Sequence, residues 1–91
     1  MKKNPLYENA IIIAPESEGS FFASYRMAFP EVKFDLITVE AAEAMFKGEG
    51  PDPFLYFKGR NIVIRGYQDG KRIANVLEPL PNICVSWDIF N

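Results

Sequence analysis

The second half of the chain interleaves positive charge with aromatic rings. Tyr56, Phe57, Lys58, Arg60, Arg65, Tyr67, Lys71 and Arg72 fall within 17 residues. Rings of this kind can stack on bases while cations neutralise phosphates, the chemistry of a single-strand-binding surface. Arginine and tyrosine also carry much of the energy of protein–protein contacts. Charges on the outer face of a hairpin can equally serve solubility and edge protection. No ribonucleoprotein motif and no Gly-x-x-Gly loop accompanies the cluster.

A second segment with chemical potential is Glu16–Ser17–Glu18–Gly19–Ser20. Serines and a glycine before a helix can hold an anion on backbone N–H groups. Here there is no Gly-x-Gly-x-x-Gly and no Walker lysine, and Glu16 and Glu18 would repel an anion. Capping by Ser17 or Ser20 is the simpler expectation. The acids Glu16 and Glu18, Glu40 and Glu43, and Glu49 and Asp52 lie in near pairs, as general acid–base work or a hard cation would need. The helical spacing of Glu40 and Glu43 is explained as well by a solvated face.

The chain has no histidine, which removes Ser–His and Cys–His nucleophile pairs and histidine zinc sites. Its one cysteine, Cys84, can form no intrachain disulfide and no Cys-x-x-Cys knuckle. Neither a metal nor a cofactor is expected, and no catalytic residue is assigned. A disulfide-free domain this small points to a reducing cytoplasm. The triplet Ile11–Ile12–Ile13 is far short of a membrane span, and Pro15–Glu16 follows it too closely for a signal peptide.

With 91 residues, 48% of them apolar, the chain reads as one domain over residues 1–91, with a flexible loop at 48–53. Net charge is −2, unevenly placed: residues 1–55 hold nine acids and five bases, and residues 56–91 hold three acids and five bases. Thirteen aromatics can supply a large core, yet small domains bury surface inefficiently, so a homodimer is a reasonable expectation.

The elements that must position these groups follow from periodicity. The isoleucine triplet predicts a strand covered on both faces over Asn9–Ala14. Phe22, Tyr25 and Phe29 predict a helix over Phe21–Phe29, stopped by Pro30. Val32–Thr38 alternates as a strand, and Thr38 should cap a helix over Val39–Lys47. Phe54–Phe57 reads as a short strand after the Gly/Pro-rich loop. Asn61–Gln68 and Lys71–Glu78 flank Asp69–Gly70, the dipeptide of a two-residue hairpin turn. That register places Arg65, Tyr67 and Arg72 on one outward face. Ile83–Phe90 alternates as a final strand after the turn Pro79–Asn82, with Trp87 on its buried face.

The expected fold is therefore α/β (α+β): a two-layer sandwich, β-α-β-α-β-β-β-β, with one mixed sheet and two short helices on one face. The expected function is a non-catalytic cytoplasmic module that binds another macromolecule, by preference a protein. Such a module would be of adaptor or inhibitor type, as phages and mobile elements often encode. Its contact residues would be Arg65, Tyr67, Arg72, Lys58 and Arg60. Two alternatives stand beside it: a nucleic-acid-binding module using the 56–72 hairpin, and a small-ligand-binding domain using the loop 16–20.

Overall fold

The computed structural model describes residues 1–78, 80 and 82–88, and only the backbone of 67–70. Four strands, β1 (Ile11–Ala14), β2 (Asp35–Thr38), β3 (Asn61–Arg65) and β4 (Cys84–Asp88), form one sheet in the order β2-β1-β3-β4. Every pairing is parallel. Ile12 lies beside Leu36 on one side and Val63 on the other, so β1 is an interior strand, and all four of its residues are buried. The isoleucine triplet has this cause: an interior parallel strand is covered on both faces and has no reason to alternate.

The covering helices are α1 (Gly19–Ala28), α2 (Val39–Phe46), the short α3 (Pro53–Phe57) and α4 (Tyr67–Leu77). Two separate cores record how they are distributed. Phe22 and Tyr25 of α1 pack with Ile12, Ala14 and Val63 on one face, joined by Tyr7 and Phe34. Val39, Ala42 and Met45 of α2, Phe57 of α3, and Ile73 and Leu77 of α4 pack with Ile11, Ile13, Ile62 and Ile64 on the other. Helices therefore cover both faces, where two layers were expected. The expected mixed sheet is wholly parallel over the described residues.

Local chemistry accounts for several boundaries. Thr38 accepts a hydrogen bond from the Ala41 N–H at 3.0 Å and starts α2. Asp52 accepts one from the Phe54 N–H at 2.9 Å, and Pro53 opens α3, a favoured pairing of cap and first helical residue. Ser17 and Ser20 do not cap α1. A 3-10 turn at Glu16–Glu18 leads into that helix, with no side-chain cap at its start.

The largest difference from expectation is α4. Asp69–Gly70 lies inside this helix, so there is no hairpin there. The reason is tertiary. Ile73 and Leu77, one helical turn apart, are both fully buried against β1 and β3, and an outward hairpin would forgo that burial. Asn75, awkward on the inner face of a hairpin, is exposed on the helix. Phe54–Phe57, expected as a strand, is α3. Trp87 is half-buried on the edge strand β4, less enclosed than expected. Pro79 and Pro81 of the expected turn, and Ile89 and Phe90 of the expected last strand, lie outside the described residues.

Gly70 tests the change of element by the sign of its effect. In a type I′ turn, alanine at Gly70 would be strained. In a helix interior, alanine is preferred over glycine by about 0.5–1 kcal/mol. Gly70→Ala is therefore expected to raise the midpoint of urea unfolding. A lowered midpoint would restore the hairpin.

Candidate functional site

In open parallel sheets, ligands gather outside the carboxyl ends of the strands, where neighbouring connections leave toward opposite faces. Here that place lies between β1 and β3. The chain leaves β1 through Pro15–Glu18 toward α1, and leaves β3 through Gly66 toward α4 on the other face. The two connections nearly touch. A Cβ on Gly66 would lie 3.6 Å from Pro15 Cδ, and Gly66 has φ +92°, a conformation that favours glycine.

Arg65, the last residue of β3, fills this crevice. It is 8% exposed. Its guanidinium reaches Asp88 Oδ2 of β4 at 2.8 Å and Glu18 Oε2 of the β1–α1 connection at 3.4 Å. It donates to the Tyr7 hydroxyl at 2.9 Å and stands 3.9 Å above the ring of Phe21. Tyr7 in turn donates its hydroxyl proton to Asp88. Burial, followed by that hydrogen bond, pushes the Tyr7 hydroxyl well above its ordinary range and keeps it a neutral donor. For Arg65, burial opposes the charge, but the hydrogen bond to Asp88 and the neighbouring acidic groups outweigh it. The cluster thus joins four segments, the amino-terminal turn, the β1–α1 connection, β3 and β4, through one charge.

Such an arrangement ties these segments to one another through buried ion pairs and hydrogen bonds. Both carboxylates already bind a cation, and the tyrosine is held neutral. Among the described residues, no three His, Cys, Asp or Glu side chains gather to hold a metal ion. A small apolar cleft of about 170 Å3, lined by Ala14, Pro15, Glu18, Gly19, Leu36 and Thr38, flanks the cluster over the ends of β1 and β2.

Of the five expected contact residues, the four whose side chains are described do not form one surface. Arg65 is buried, which corrects its expected outward position: the last residue of β3 faces α1 and the aromatic core. Arg72 is exposed on α4 and binds both carboxylate oxygens of Glu43 on α2, at 2.9 and 3.2 Å. Arg60 lies before β3, at the opposite end of that strand from Arg65, and pairs with Asp35 at 2.7 Å. Lys58 is exposed after α3. Tyr67 opens α4, and its side chain lies outside the description. The outward face expected to hold Arg65 and Arg72 together required the hairpin; here Arg65 is buried and Arg72 is exposed on α4.

The paired acids separate in the same way. Glu18 serves Arg65, Glu43 serves Arg72, and Asp52 caps α3. Cys84 is exposed on β4. Tyr7 and Asp88 were not singled out from sequence. The available signal was positional: a charged residue closes each of two apolar strands, Arg65 after Ile62–Val63–Ile64 and Asp88 after Trp87.

No protein-family model matches the chain, and no curated protein or solved structure shows significant similarity to it. Among the described residues, no helix is long and apolar enough to cross a membrane.

Proposed function

We propose that this chain is a non-catalytic cytoplasmic module that binds another macromolecule, with a protein as partner, in the manner of an adaptor or inhibitor. The observation that carries this reading is the adjacent pair Phe54 and Leu55 on α3, which are 58% and 75% exposed. Their helix is fixed from below by buried Pro53 and Phe57 and from its start by the Asp52 cap. Large apolar side chains presented on a rigid support lose little freedom on docking, and aromatic residues are enriched where interfaces concentrate their energy. The self-filled crevice around Arg65 supports the non-catalytic part, because the place where such sheets accept substrates is closed by the protein's own ion pairs.

The test uses the intact chain immobilised in nuclease-treated lysate. A retained protein is then measured, in purified form, against the double variant Phe54→Ser, Leu55→Ser. The variant is expected to keep its unfolding midpoint and to weaken binding at least about thirtyfold, equivalent to about 2 kcal/mol. Unchanged binding would remove α3 from the interface. Retention lost on nuclease treatment would replace the protein partner with a nucleic acid. Arg72 and Arg60 support that alternative less than their sequence positions suggested, since each already faces a carboxylate. A small ligand recovered with the protein would favour the cleft beside the loop 16–20.

A further inference from the structure

At the other end of the sheet, an open cavity of about 480 Å3 lies where β2 begins and β3 is entered, bordered by Asn9, Arg26, Lys33, Asp35 and Arg60. Three cations and one carboxylate surround it. Only Arg60 is paired with that carboxylate, at 2.7 Å. Arg26 and Lys33 form no ion pair with a carboxylate among the described residues. Arg26 is nevertheless held in place: its guanidinium lies 4.0 Å above the Phe34 ring and donates to the Phe34 carbonyl at 3.4 Å. Arg60 is steadied by Asp35 and by the Tyr56 ring at 5.7 Å. The nearby acid Glu31 is engaged by Lys3 at 3.0 Å.

We propose that this cavity binds a phosphate group. A tetrahedral oxyanion suits the feature because guanidinium N–H groups offer several directed donors to its oxygens. Arg26 and Arg60 are already immobilised, so little side-chain freedom is lost when the anion arrives. Lys33 adds a point charge, and the Asn9 amide adds a neutral donor. Asp35 is the opposing group: it competes with the anion for Arg60. The site is separate from the α3 surface proposed above and does not depend on it.

Titration calorimetry at low ionic strength, in a zwitterionic buffer, tests the assignment with two probes, inorganic phosphate and a 5′-mononucleotide. Saturable binding of phosphate is expected in the millimolar range. Equal affinity for both probes points to a free phosphate as the natural source, and tighter nucleotide binding points to a phosphate ester. Arg26→Gln and Lys33→Gln should each weaken phosphate binding about threefold to fivefold, the range of an exposed charge pair. Asp35→Asn should tighten it by a similar factor, because Arg60 is released. Lys47→Gln, just past the end of α2 at the other face, should change nothing. Three results would overturn the proposal: absence of saturation, Lys47→Gln weakening binding as much as Arg26→Gln, or Asp35→Asn weakening it.

Discussion

Arg65→Ala is expected to cost about 3–5 kcal/mol of folding stability, the range for breaking a buried ion pair by removing one partner. The substitution leaves Asp88 and Glu18 facing each other across a crevice with no cation between them, and their side chains are only 15% and 16% exposed. It also removes the donor to Tyr7 and the charge above Phe21. For a domain of this length, such a loss should lower the thermal midpoint by more than about 12 °C. Arg65→Lys should recover only part of it, because an ammonium keeps the charge but cannot serve Asp88, Glu18 and Tyr7 together as a planar fork can. Had Arg65 stood on the outer face of a hairpin, its loss would change stability by less than about 0.5 kcal/mol. A small shift on melting would therefore show that Arg65 does not occupy the crevice.

Phe22→Ala should be as severe, again about 3–5 kcal/mol, for a different reason. The Phe22 ring has no exposed surface and sits among Tyr7 at 5.5 Å, Phe21 at 5.0 Å and Phe34 at 5.9 Å. These neighbours belong to separate elements, so they cannot all close on the space it leaves. Either substitution alone consumes a large share of the 5–15 kcal/mol typical of small proteins. The two sites are also coupled, since the Arg65 guanidinium lies 5.5 Å from the Phe22 ring. The double variant should cost less than the sum of the single losses. Strict additivity in urea titrations would mean that the aromatic core does not support the arginine.

Much of the first half was legible because local signals and tertiary needs agree there. Three successive isoleucines mark a strand buried on both faces, Phe22 and Tyr25 mark one face of a helix, and Thr38 caps the next helix, as the structure shows. The second half was misread where they conflict. Asp69–Gly70 is a strong turn signal over two residues, but it competes with the burial of Ile73 and Leu77, whose spacing is helical. Once that segment is helical, β3 and β4 need not be antiparallel neighbours, and the sheet is free to be parallel throughout. The helix start at Asp52–Pro53 was readable from cap chemistry and was masked by the surrounding glycines. The Arg65 cluster could not be read from spacing, because its members stand 58 and 23 positions away in the chain. Only the strand order brings them together.

That strand order also shapes how the protein is made. A parallel pair forms only after an entire crossover has been synthesised, so no strand here can pair with the one just before it by a tight turn. When β1, α1 and β2 have left the ribosome, β1 is still an edge: its place beside β3 is empty until the chain has passed α2 and α3. During that interval the most apolar segment of the protein, Ile11–Ile12–Ile13, presents unpaired backbone groups to any neighbouring strand. Unpaired edges of this kind make incomplete chains prone to aggregate. The residue run that makes β1 the centre of the finished sheet is thus also the most vulnerable part of the unfinished one.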